Sequence, residues 1–127
     1  MQNFDHEKLD VYQAAIEFVI VIESLVNQFP KGRAYLIDQL QRAGSSVLLN
    51  IAEGAGEFSA NEKIRFYRMS RRSATESAAI LDICTSLELC DENLSSKSRG
   101  LLLRIVSMLT KMARTSSVTQ AGTQTFT

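Results

Sequence analysis

Five cations crowd into one short stretch: Lys63, Arg65, Arg68, Arg71 and Arg72. If the stretch is helical, Arg65, Arg68 and Arg72 fall on a stripe roughly 60° wide. Guanidinium forks match phosphate oxygens, so such a stripe would grip RNA or DNA with strong salt dependence. The plain alternative is a solvated face, or arginines paired with acids of another helix or subunit. Helix N-termini favour anions, so cations placed there need partner charge from elsewhere. A second group is polar rather than cationic: Arg42, Asn50 and Glu53 on one segment, Ser73 and Glu76 on the next. Where the two segments cross, these five would form a hydrogen-bond network fixing register, or else line a small polar ligand pocket. Charges buried in such a network must be satisfied or they cost several kcal/mol.

Other chemistries lack their residues. A di-iron bundle needs Glu-x-x-His pairs on facing helices, and His6, the sole histidine, sits near the N-terminus. Cys84 and Cys90 lie six apart in one helical pattern, on nearly opposite sides. They have no ligand partner at a usual spacing and read as reduced structural thiols. A carboxylate-only Mg or Mn site would have to draw on Glu53 and Glu76. Serines abound, but no strand-turn-helix elbow holds one and no histidine is placed to act as its base. No phosphate-cradling glycine loop occurs. The expectation is a protein that is not an enzyme, with no cofactor and no metal.

Helices must position these groups. Leu36, Leu40, Ala43, Val47 and Ile51 recur at three- and four-residue steps, the spacing of one buried helical face. Beside them Ala43, Gly44, Ser45 and Ser46 are small enough for a neighbouring helix to come close. Gly is a poor helix former, so Gly44 needs a packing reason. The spacing predicts helices over residues 5–29, 33–53, 60–89 and a fourth ending near Arg114. Pro30 breaks the first from the second. Gly54 and Gly56 supply the positive φ that ends the second. Ser59 and Glu62 open the third as a capping box. The third helix carries its own small run, Ser70, Ser73, Ala74, Ser77 and Ala78, against that of the second. Asp91, Ser95 and Ser96 are cap candidates for the fourth. Short connections make an all-α, antiparallel up-down-up-down four-helix bundle, with residues 1–115 as its domain and 116–127 as a disordered polar tail.

The block at residues 18–22, FVIVI, is apolar all round its helix. A surface helix of a small bundle needs one apolar stripe, so the second face is expected to be covered by another subunit. The chain has 127 residues, 45% of them apolar, and a formal charge of zero. The balance is uneven: nine acids against four Lys and Arg through Glu62 make that part −5 and the remainder +5. Such asymmetry guides head-to-tail association or attracts an anionic partner. No window is apolar enough for a membrane span, and the polar start MQNFDHEKLD is not a signal peptide. A cytoplasmic protein is expected.

The chain resembles the four-helix-bundle family of proteins encoded in intervening sequences of bacterial 23S ribosomal RNA genes. The matching pieces are FDHEKLDVYQAA (residues 4–15), FPKGRAYLIDQLQRAGSSVLLNIAEGAGEFS (29–59), RFYRMSRRSATESAAILD (65–82) and LLRIVSMLTKM (102–112). The run from Asn50 to Gly54 is the most specific, and Ser73 and Glu76 fit the family's serine-x-x-glutamate pattern. The resemblance implies a ring-like homo-oligomer, a pentamer, in a bacterial cytoplasm, without established enzymatic activity. A related bundle family assists retroelement reverse transcriptases, which keeps structured RNA or an RNA-bound protein in view as partner. A purely protein–protein scaffold or a ligand-binding oligomer is the competing reading. Three positions depart from the pattern. Glu57 stands where a basic residue is frequent, which argues against a phosphate-binding loop there. Arg72 replaces a common glycine, so a looser helix crossing is expected. Tyr12 replaces a frequent tryptophan.

Overall fold

The computed structural model describes the backbone of residues 3–126 and the side chains of residues 3–116. Four helices carry the chain: α1 Asp10–Val26, α2 Ala34–Ala55, α3 Ala60–Ser86 and α4 Glu92–Phe126. Among the described residues there is no strand, so the fold is all-α, as the apolar periods require. Here α1 packs on α2 and α4, and α3 packs on the same two. No helix among the described residues is long and apolar enough to cross a membrane. The backbone of α4 continues past Arg114, where its apolar period stops. The polar tail expected over residues 116–127 falls almost wholly on side chains outside the described residues.

The first helix is shorter than its apolar period implies. Asp5–Lys8 form a separate 3-10 turn, and Leu9 is extended before α1 begins. His6 stacks on Phe4 and leans on Tyr12, with ring centroids 5.7 and 4.6 Å apart. At the other end α1 stops short of Phe29, which the following Pro30 disfavours as helix, and Gly32 turns the chain at φ +94°. Within α1, Phe18, Val21 and Ile22 are buried by the chain itself, while Ile20 is 60% exposed. The belt expected to need a second subunit is therefore largely closed from within. Flanked by both α2 and α4, α1 uses two apolar stripes inside one chain.

The core runs between the helices through Phe18, Ile22, Leu25, Leu36, Leu40, Ile51, Ile105 and Leu109, all essentially inaccessible. Each such side chain contributes about 1.5–3 kcal/mol by leaving water. The small run of α2 serves two neighbours. A Cβ on Gly44 would lie 2.5 Å from Cδ1 of Ile22, so the glycine lets α1 close up. Ser46 faces the other way, its Oγ 2.8 Å from that of Ser73. Next to it the buried Ser70 hydroxyl donates to the Val47 carbonyl at 2.7 Å. Arg72 is exposed on α3.

Helix ends depart from the sequence reading in instructive ways. Neither Gly54 nor Gly56 has a positive φ: α2 runs through Gly54 to Ala55, and Gly56 sits at φ −83°. What Gly54 supplies is space, because a Cβ there would be 2.7 and 2.9 Å from the Tyr67 ring and 3.0 Å from Cβ of Phe66. Only the serine half of the capping box forms: Ser59 Oγ accepts from the Glu62 amide at 3.1 Å, while the Glu62 carboxylate takes Arg65 instead. The left-handed residue that reverses the chain is Glu88, at φ +58°. Around it the Leu89 amide donates to the Cys84 carbonyl (2.9 Å) and the Glu88 amide to that of Thr85 (3.0 Å), the paired bonds of a Schellman end. That reversal carries Cys90 back beside Cys84 rather than onto the opposite side of one helix. Burial, then the neighbouring Cys90, pushes the Cys84 thiol up to about 11; burial raises Cys90 as well. Both are free thiols. Asp91 caps α4, accepting from the Leu94 amide at 3.0 Å.

Candidate nucleic-acid interface

The tertiary structure divides the five clustered cations by task. Lys63 turns back along α2 and donates to the carbonyls of Ala55 (3.0 Å) and Gly54 (3.4 Å). A cation there satisfies helix-end carbonyls and complements the helix dipole. Arg65 is held locally: its Nη2 is 2.9 Å from Glu62 Oε2, and its guanidinium lies 4.4 Å from the Phe66 ring centre. The hydrogen bond to Glu62, then that carboxylate's charge, raises its pKa, with smaller contributions from Glu57 and Glu53. The start of α3 is therefore a mixed-charge region.

After Glu62 the next acid on α3 is Glu76, four residues beyond Arg72. Arg68, Arg71 and Arg72 are exposed, and among the described residues none has a carboxylate within 4.0 Å. With Thr75 they line an open concavity of about 360 Å³ on the α3 surface. Arg68 and Arg71 also wall a tighter recess of about 260 Å³ between α3 and α4, whose far side carries Arg114 and whose floor is Tyr67, Leu109 and Ala113. Burial, then the charge of Asp5, raises the Tyr67 phenol. Arg114 was not among the sequence candidates. It belongs to the segment where the apolar period of α4 fades, and only packing of α4 on α3 brings it to this place. The other α4 cations near the opposite end are engaged: Lys97 Nζ lies 3.7 Å from Glu17, and Arg99 lies 3.8 Å from Asp82. Where the first half of α3 meets the second half of α4, Arg68, Arg71 and Arg114 thus lie together with no carboxylate partner among the described residues.

The polar group is only partly assembled. Asn50 Nδ2 donates to the Ser46 carbonyl (2.8 Å) and lies 3.0 Å from its hydroxyl, which in turn meets Ser73. Asn50 and Ser73 therefore share one half-buried cluster through Ser46. Ser77 extends it by donating to the Ser73 carbonyl at 2.9 Å. Arg42, Glu53 and Glu76 stand apart. Arg42 pairs with Asp38 at 2.6 Å on the exposed side of α2, and Glu53 and Glu76 are exposed. Periodicity could not place them, because Glu53 and Asn50 differ by less than one turn and a small rotation of α2 decides which faces inward. A concavity of about 630 Å³ is a shallow groove lined by α2 alone, including Arg42, Leu49, Asn50 and Glu53. Its shape is that of a solvated helix face. No buried side-chain nitrogen or oxygen among the described residues lacks a hydrogen-bond partner, so the α2–α3 seam is complete as it stands.

The arrangement can bind anions through guanidinium forks, and the seam holds the helix presenting them at fixed register. A comparison with curated proteins finds no match. The family model described as 23S rRNA-intervening sequence protein matches residues 7–111. That span takes in the whole of α1, α2 and α3, the Asn50 to Gly54 run and the arginine row, and the chain belongs to the 23S rRNA-intervening sequence protein family.

Proposed function

We propose that this protein is a non-enzymatic, cytoplasmic binding and assembly module. Its four helices run up-down-up-down, copies of it associate into a ring-like homo-oligomer, and the arginine face of α3 binds structured RNA, free or within a ribonucleoprotein. The observation that carries the reading is the row Arg68, Arg71 and Arg72, exposed and, among the described residues, without a carboxylate within 4.0 Å, in a chain whose formal charge is zero. Leaving three guanidiniums unpaired costs mutual repulsion, which a phosphate backbone relieves while releasing its counterions. Family membership supports an RNA setting by the description it carries. Assembly is supported by apolar groups left outside: Ile20 on α1, Leu49 on α2, Phe58 in the connection to α3, and Ile83 and Leu87 at the end of α3. Five subunits is the number the family resemblance implies.

Two measurements test this. Light scattering on the purified chain should return one species several times 14.1 kDa; a clean monomer at micromolar concentration refutes assembly. Retention of ribosomal RNA fragments at low salt should weaken when Arg68, Arg71 and Arg72 are changed to Ala, and the slope of log K against log salt should flatten by about 0.7–0.9 for each phosphate no longer neutralised. Absence of retention by the unmodified protein refutes RNA binding. A partner that co-purifies and survives nuclease treatment would favour the protein-scaffold reading instead.

A further inference from the structure

We propose that the recess between α3 and α4 is a receptor for a phosphomonoester at the end of an RNA strand, gripped by Arg68, Arg71 and Arg114. This rests on the RNA-binding reading above and assigns a distinct ligand group to one part of the surface. The size of the space is the first argument. At about 260 Å³ it takes a phosphate with its esterified nucleoside, whereas a duplex backbone must run across its mouth. Charge is the second. Three arginines from two helices line it, and among the described residues no carboxylate lies within 4.0 Å of any of them. An internal phosphodiester carries a single negative charge, but a terminal monoester carries about −1.5 to −2 at neutral pH and offers three acceptor oxygens. The doubly charged group is the better match to three forks of fixed geometry.

The floor is the third argument. Tyr67 is 5% exposed and Leu109 1% exposed, so two buried side chains back the recess beside Thr110, and partial exclusion of water strengthens the attraction above them. No acid lines it. Arg72 and Thr75 lie outside, on the adjoining open surface shared with Arg68 and Arg71. The two surfaces therefore divide the work. The open face follows the backbone and the recess holds the strand end.

The test compares one short single-stranded oligoribonucleotide carrying a 5′-phosphate, a 3′-phosphate or hydroxyls at both ends, by fluorescence anisotropy with the full chain. A phosphorylated end should tighten binding about tenfold, the strength of one or two additional charge-assisted hydrogen bonds. Arg114→Ala should erase that preference, so that phosphorylated and hydroxyl-ended strands bind the variant equally; Arg114 is exposed, so folding is not at stake. Arg72→Ala should weaken all three strands by a similar factor. Adenosine monophosphate should compete far more weakly than the phosphorylated strand. Equal affinity for phosphorylated and hydroxyl ends overturns the receptor while leaving the backbone-binding reading intact. Adenosine monophosphate binding as tightly as the phosphorylated strand overturns an RNA end as the ligand. No binding of any strand overturns both.

Discussion

Two glycines inside α2 invite the same substitution and should answer it differently. Replacing an interior helical Gly by Ala gains about 1 kcal/mol of helix propensity. At Gly44 the new methyl meets one atom closely, Cδ1 of Ile22 at 2.5 Å, with Phe18 next at 3.5 Å. That atom ends a flexible side chain, and turning it aside costs about 0.5–1.5 kcal/mol. Gain and cost nearly cancel, so Gly44→Ala should stay within about 0.5 kcal/mol of the parent. At Gly54 the methyl meets two carbons of the Tyr67 ring, at 2.7 and 2.9 Å, and Cβ of Phe66 at 3.0 Å. The ring is buried and a Cβ moves only with its backbone, so α2 and α3 must part, an overpacking cost of about 2–3 kcal/mol. The net loss should be about 1–2 kcal/mol, or roughly 4–8 °C in Tm for a domain of this size. Thermal and urea unfolding of parent and both variants at one protein concentration, which removes linkage to association, measures this. A Gly54→Ala protein as stable as the parent, or less damaged than Gly44→Ala, would refute the close-approach account of the Asn50 to Gly54 run.

Other outcomes follow from single features. Glu88→Gly should raise stability by about 0.5–1 kcal/mol, since only Gly takes φ +58° without Cβ strain; a loss on urea unfolding would contradict the Schellman assignment. Ser70→Ala removes the buried hydroxyl that donates to Val47 and should cost about 1 kcal/mol, whereas Thr75→Ala, on the exposed face of α3, should leave the urea midpoint unchanged. The folded Cys84 thiol keeps its proton to about 11, against about 8.5 in an unfolded chain. Its contribution is fully present below the unfolded value and lost as pH rises through the folded one. Stability should therefore fall through this range, and Cys84→Ala should make the fall shallower; Tyr67, also raised, contributes in the same direction and remains in the variant. Ile20→Glu should lower the mass seen by light scattering without lowering helix content, because Ile20 is exposed on the single chain. An unchanged mass would remove α1 from the assembly contact.

Much of the architecture was legible in the chain alone. Apolar residues at three- and four-residue steps fix four helices and their buried stripes, because a 3.6-residue turn brings those positions to one face whatever lies opposite. Local chemistry fixed the Ser59 start of α3, Asp91 as a cap of α4 and the break at Pro30. The family resemblance rested on such runs too. What periodicity cannot carry is which helix covers which face. The 18–22 block reads the same whether α4 or a second subunit lies on it, and only the packing shows that α1 is flanked on two sides by its own chain. Gly54 looked like a helix stop because glycine tolerates positive φ, but its role is decided by the Tyr67 ring of another helix. Cys84 and Cys90 are separated on a helical wheel and reunited by a reversal at a non-glycine residue. The arginines were visible as a cluster, yet their division was not. Lys63 reaches the α2 carbonyls across the turn before α3, Arg65 pairs with Glu62 inside the first turn of α3, and Arg114 joins Arg68 and Arg71 only because α4 packs on α3. Local sequence determines elements through short-range geometry. Convergence of charges on one recess is a property of distances between helices, and those are set by the packing of the core.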